Sequence, residues 1–436
     1  MKLREDLAKA IEEAHRLAST GTLWPGWDIA VTPVILHGRE ISYILGHPRP
    51  PEGYVEVAPV AGRRTYMGPT FPEMAANTVR VIAGAVSALV AYPEETLIDT
   101  DVFARLILHE CFHVHQLVAL SSVSRPDFRV MERYPEDDPL NNAMSIVENK
   151  ILCSALREWP PSKASDKVKA LAGEFIAVRM ARHDYLASKD LGNVCTYEEL
   201  SEFNEGTPTY IEVKAGKPVS EIIDTLQEAN VAGKWASYRR FYATGAATGL
   251  LLDFLLPDWH LRLAQGGCTL QSLIREAVCS QWSGVSGADV SAILRAYDYD
   301  AILASEEKSA RERQAQIEAM LRELSDGPGV RVEIEIPEGA FTLFNPSRVI
   351  VVRPGVKLHP TLSGLRGEGE LAVDITRLCL EDGPARRMVV RVPELQVPQD
   401  QGSRLTSLSA EGLAISAPKG LEVTKGPDGT YRIRPK

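Results

Sequence analysis

Apolar and polar positions change their period twice along the chain, and the changes divide it into three parts. Residues 1 to about 20, "MKLREDLAKAIEEAHRLAST", repeat at helical spacing and predict one amphipathic helix. Between Trp24 and about Tyr92 the pattern breaks into short β-like runs, "DIAVTPVILHG", "REISYILGH", "GYVEVAPV" and "NTVRVIAGAVSALVAYP", separated by Pro and Gly clusters. From about residue 100 to 324 the helical period returns. Thr100 or Asp101 is placed to cap a helix running through Leu120, and "PLNNAMSIVENKILCSALREW" and "SDKVKALAGEFIAVRMARHDYLAS" give the next two. "TYEELSEFNEGTPTYIEVKAG" follows, with Pro208 as a kink or restart, then "KWASYRRFYATGAATGLLLDFLL". The block closes on "LASEEKSARERQAQIEAMLREL", a long charged helix, and "SDGPGV" reads as a linker. Beyond it "VRVEIEIP", "SRVIVVRP", "GELAVDITRLCL" and "RRMVVRVP" are short strands between turns. The chain is therefore expected to be α+β. A β-rich N-terminal region with a leading helix and an edge strand covers 1–95, a mainly helical domain covers 96–325, and a β-rich, sandwich-like domain covers 330–436.

Composition narrows the setting. At 436 residues, with 44% hydrophobic and 24% charged, the chain has the make-up of a globular protein with more than one core. Its net charge of −10 speaks against a nucleic-acid partner. The six cysteines form no C-x-x-C pair, which predicts neither a disulfide scaffold nor a cysteine metal site and fits a reducing compartment. The first twenty residues carry charges throughout and lack the apolar core of a signal peptide, and "VIAGAVSALVAY" is too short to cross a bilayer. A cytoplasmic protein without a membrane segment is expected.

One stretch departs from the bland pattern. "LILHECFHVHQ" places His109, Glu110 and His113 inside an otherwise apolar helix as an H-E-x-x-H pattern. Residues four apart share a helix face, so both imidazoles can reach one zinc, and Glu110 is placed as general base toward a water at the metal. Buried between two histidines, a glutamate is costly unless a cation compensates it. His115 falls on the opposite side of the helix, and Cys111 also points away. Zinc needs a third protein ligand, and two predicted helices supply a candidate: Glu148 in "SIVENKIL" and Glu205 in "FNEGTPTYIE".

"NEGTPTYIE", Asn204 to Glu212, resembles the N-E-G-x-A-x-Y-x-E stretch of the gluzincin metallopeptidases related to aminopeptidase N. The resemblance implies Glu205 as third zinc ligand, with one zinc per chain. The gap between His113 and Glu205 is much longer than in that family, so the intervening helices would be an insertion. "YATGAATGLLLDFL" resembles the family's Y-x-K-G segment, which puts the oxyanion-stabilising tyrosine on Tyr242 and the glycine on Gly245, with Thr244 in place of the lysine. Tyr238, one turn earlier, is the rival for that role. "GAVSALVAYPEE" stands where the family has its substrate-aligning edge strand, which implies that Gly84, Ala85, Val86 and Ser87 line a bound peptide. Ser87 occupies the position of the glutamate that grips a free amine, which points away from a typical aminopeptidase. Thr207-Pro208 replaces the family's Phe-Ala. Glu148 remains the alternative ligand, or an acid that orients a ligand imidazole, or one half of a salt bridge; Glu212 is a candidate for the orienting role or, equally, a surface acid.

The expectation is a zinc-dependent hydrolase of gluzincin type cleaving peptide bonds in a peptide or protein substrate, with Glu110 and Tyr242 catalytic and His109, His113 and Glu205 holding zinc. The alternative is a binding or assembly protein in which a metal only staples the helices.

Overall fold

A computed structural model describes residues 3–70, 76–159, 166–230, 236–281, 289–338, 341–342, 349–367, 371–398 and 405–436. The chain falls into two compact units. One comprises Met1–Asp127 with Pro139–Glu306, the other Phe128–Asp138 with Glu307–Lys436.

The first unit begins with helix α1 (Glu5–Ala18), which buries Leu7, Ala10, Ile11 and Ala14 at helical spacing. Among the described residues six strands follow: β1 (Val34–His37), β2 (Ile41–Leu45), β3 (Val55–Val60), β4 (Arg63–Pro69), β5 (Thr78–Ile82) and β6 (Ala85–Ala91). They form one sheet in the order β3-β4-β2-β1-β6-β5, antiparallel except for the parallel β1–β6 pair. Side chains alternate across it. Val34, Leu36, Ala88 and Val90 enter the large core shared with the helices, whereas Ile35, Ile44 and Leu89 meet Tyr66 in a small cluster on the other face.

The helices that build the candidate site are α2 (Thr100–Val118), α3 (Pro139–Leu156), α4 (Asp166–Ser188), α5 (Gly192–Ser201), a π-helical turn (Glu202–Gly206), α6 (Thr207–Lys214), α7 (Val219–Glu228) and α8 (Ala236–Leu255). The cap of α2 is Asp99, one residue before the expected pair: its carboxylate accepts from the N–H groups of Asp101 and Val102 at 3.0 Å each. The N-terminal strands and this helical block share one apolar cluster, in which Val34 and Ala88 meet Leu108, Phe112 and Ile151. No helix among the described residues is long and apolar enough to cross a membrane.

In the second unit the described residues form a seven-stranded and a five-stranded sheet. Val332, Ile334 and Val390 from the first and Leu371, Val373 and Ile415 from the second enter one apolar cluster. The boundary between the units falls inside the helix Tyr299–Asp326, well before the expected linker.

Helices and strands therefore coexist in the proportions of an α+β protein, and the strands carry both parallel and antiparallel pairs.

Candidate metal centre

α2 presents His109 and His113 from one face, their ring centroids 4.9 Å apart. The π-helical turn brings Glu205 to them from across the core. Glu205 Oε2 lies 3.8 Å from His109 Nε2 and 3.6 Å from His113 Nε2. Ligand atoms about 2.0–2.1 Å from a tetrahedral ion stand about 3.4 Å from one another, so these separations suit a single small cation. Asn204 Nδ2 donates to the other carboxylate oxygen, Oε1, at 2.9 Å and so leaves Oε2 to the imidazoles.

Both imidazoles are tied at Nδ1, which turns Nε2 of each toward Glu205. His109 Nδ1 donates to Glu212 Oε1 at 2.6 Å, and Lys217 Nζ donates to Glu212 Oε2 at 2.8 Å. His113 Nδ1 lies 2.7 Å from Gln116 Oε1. The amide cannot be turned over, because Gln116 Nε2 faces the carbonyl oxygens of Phe203 (2.9 Å) and Asn204 (3.2 Å), which only accept. Gln116 Oε1 therefore accepts from His113, the proton sits on Nδ1, and Nε2 is free for a metal.

The electrostatics favour positive charge at this point. Burial alone would depress the His109 pKa, but hydrogen bonds to Glu205 and Glu212 and the nearby Glu110 charge carry it up to about 9. Burial works to raise the Glu212 carboxyl, yet His109 and Lys217 outweigh it and hold it below the usual range. Glu110, only 5% exposed, is pushed upward by burial, with His113 and His109 opposing. A carboxyl made more basic beside a metal position suits proton transfer. Two imidazoles and a carboxylate are a zinc donor set, and they fit the ion in type and spacing.

The π-helical turn has a local cause. In an α-helix the Asn204 carbonyl would bond to the N–H of residue 208, but Pro208 has none and its ring crowds that carbonyl. Widening the turn over Glu202–Gly206 relieves the clash, and such turns recur at functional sites. Thr207 Oγ1 donates to Phe203 O, and Thr209 Oγ1 to Glu205 O, both at 2.8 Å.

α8 crosses the turn at a glycine pair. A Cβ on Gly245 would stand 2.3 Å from Glu202 O and 2.7 Å from Gly206 Cα, and one on Gly206 would stand 2.4 Å from Gly245 Cα. This backbone contact brings Tyr242 to the site, its ring nearly parallel to that of His109 with centroids 6.1 Å apart. Gly245→Ala meets backbone on both sides, which no rotamer change relieves. It is expected to cost about 1–3 kcal/mol in urea unfolding and to weaken zinc binding. Unchanged stability and affinity would show that the crossing tolerates a methyl group. The side chain of Tyr238 lies outside the described residues.

Glu148 is placed elsewhere. It is fully buried and accepts from Arg179 (Nε 3.1 Å, Nη2 2.9 Å) and Arg182 (Nε 2.5 Å, Nη2 3.3 Å). Burial would raise its pKa, but the two guanidiniums hold it down to about 2. Arg179 continues to Glu202 at 2.7 Å, Arg182 to Glu198 at 2.6 Å, and Arg240 to Glu198 at 3.1 Å. Thr244, the residue in the lysine position of the Y-x-K-G segment, donates to Glu202 at 2.7 Å. This buried network ties α3, α4, α5 and α8 to the π-helical turn. None of Gln116, Arg179, Arg182, Glu198 and Glu202 was singled out from sequence. The available signal was two arginines three apart in the apolar run "FIAVRMARHD".

The expected edge strand requires correction. Gly84 is in a turn with Ala83, both at positive φ (84° and 43°), the geometry of a tight hairpin. That hairpin folds β5 back onto β6, pairing Ala85, Val86 and Ser87 with Ile82, Val81 and Arg80, so the outer strand is β5. Ser87 also shares the sheet face of Leu89, away from the core that contains α2, and its hydroxyl donates to Ala85 O at 3.1 Å. It is not placed to meet a substrate amine. His115 is half-buried on the far side of α2, its ring near Trp24, Trp27 and Phe112, with burial pushing its pKa down to about 4. Cys111 is buried and its thiol is pushed up to about 12.

No protein-family model matches the chain, and no curated protein or solved structure matches it.

Proposed function

We propose that the chain is a zinc-dependent hydrolase of gluzincin type that cleaves peptide bonds, with one zinc per chain held by His109, His113 and Glu205. The observation that carries this reading is the meeting of the Nε2 atoms of two imidazoles tied at Nδ1 with the Glu205 carboxylate, next to a buried Glu110. Zinc bound there would polarise the scissile carbonyl and make a water acidic enough to attack near neutral pH. Glu110 takes the proton of the attacking water and delivers it to the leaving amine. Tyr242 donates its hydroxyl to the developing oxyanion. His109 and Lys217 together keep Glu212 ionised, and Glu212 accepts from Nδ1 of His109 and so orients its ring. An extended peptide is expected along the outer side of β5, which now takes the place first given to Gly84–Ser87. In this reading the helical block is the gluzincin-type catalytic domain, the C-terminal unit is a β-sandwich-like accessory domain, and the protein works in the cytoplasm on a peptide or protein substrate, without nucleic acid or membrane.

Internally quenched peptides test it. Zinc-loaded protein is expected to cleave them, a chelator to stop it and zinc to restore it. Tyr242→Phe should lower kcat by about a hundred- to a thousandfold with little change in KM. β5 and β6 carry no acid to grip a free ammonium, so acetylated peptides should be cut as well as free ones. Stoichiometric zinc without cleavage of any peptide would favour the alternative, a metal that staples a binding protein.

A further inference from the structure

We propose that Gln116 is the positioning residue of the metal centre, one amide that sets the tautomer of His113 and holds the π-helical turn presenting Glu205. The inference rests on the metal reading above and goes beyond its ligand set.

Three observations converge on this side chain. Gln116 is buried and stands one turn beyond His113 on α2, so its Oε1 reaches back to His113 Nδ1 at 2.7 Å. Its Nε2 reaches forward to the turn and donates to Phe203 O at 2.9 Å, Asn204 O at 3.2 Å and Thr207 Oγ1 at 2.8 Å. The Asn204 carbonyl is the one that Pro208 deprives of an α-helical N–H partner. Pro208 thus opens the turn, and Gln116 supplies a donor to the carbonyl that results. A partly buried carbonyl left without a donor is unfavourable, and relaxation of the turn would carry Glu205 away from the imidazoles. The two ends of the amide are not interchangeable, because one must accept and the other donate. A single planar group thus joins the helix that carries His113 to carbonyls 87 and 88 positions along the chain in the turn that carries Glu205.

The test separates the two halves, with Co2+ as the probe for its visible absorption. Gln116→Glu keeps an acceptor for His113 but puts a carboxylate against two carbonyl oxygens. Gln116→Met removes both functions at similar length. Both variants are expected to bind Co2+ about 10–100-fold more weakly than wild type, with an absorption band altered from that of the wild-type site. Thr207→Val, which deletes one acceptor of the amide, is expected to move the band in the same direction and guards against a Gln116 variant that fails to fold. Circular dichroism and thermal unfolding identify folded protein. Pro208→Ala restores the missing N–H, so the loss caused by Gln116→Glu should shrink in that background. Wild-type affinity and spectrum in folded Gln116→Met would overturn the proposal. Wild-type behaviour in Gln116→Glu, with loss only in Gln116→Met, would overturn it too, by reducing the residue to a tautomer partner. Failure of the metal reading would look different: wild type itself would bind no Co2+ at this site.

Discussion

Glu110→Gln is expected to keep its zinc and its fold and to lose peptide hydrolysis by at least about a hundredfold. Glutamine preserves the shape of the side chain, but its amide does not take a proton from water or pass one to an amine. The geometry makes the demand specific. Glu110 is one residue from His109 on α2 and buried, and burial raises its pKa, which suits a carboxyl that must take and give a proton. The checks are zinc content by elemental analysis, thermal unfolding, and kcat/KM on a quenched peptide. Activity within a fewfold of wild type would remove Glu110 from the chemistry.

Glu148→Ala is expected to damage the fold and spare the metal. The substitution leaves Arg179 and Arg182 buried without one of their shared partners, and breaking a buried pair in this way costs about 3–5 kcal/mol. Urea unfolding of the full chain should show that loss, while zinc binding to the folded fraction stays close to wild type. An emptied site in folded protein would instead return Glu148 to the ligand set. The same group predicts a pH dependence. Its folded pKa lies at about 2, below the unfolded carboxyl value of about 4.3. The folded state therefore releases that proton more readily, and the stabilisation is complete above the unfolded value. It is lost as pH falls from there toward about 2. Glu148→Gln should flatten the stability–pH slope over that window.

The His109–Glu110–His113 face of α2 stands out in the sequence because three things agree there: the four-residue spacing, the apolar flanks and the cost of burying Glu110. Spacing alone gave no choice between Glu205 and Glu148, since both lie far along the chain and only tertiary packing brings either to α2. What separates them is the pair Arg179 and Arg182. Both lie in an apolar run and are fully buried, so they require Glu148 for themselves. The edge strand was misplaced because Ala83-Gly84 carries a weak turn signal inside an apolar run, lacking the Asn or Asp that marks most such hairpins. Pro208 predicts a kink or restart, and its physical effect is the π-helical turn just before it. Gln116 was invisible for a different reason: a glutamine one turn past a ligand histidine has no meaning until the carbonyls of Phe203 and Asn204 are seen beside it.

The most direct test of the metal assignment is anomalous scattering at the zinc edge from crystals of the zinc-loaded protein. One peak per chain is expected, about 2.0–2.2 Å from Nε2 of His109, Nε2 of His113 and a carboxylate oxygen of Glu205. No peak within reach of these three side chains, or a peak held by other residues instead, would contradict the account.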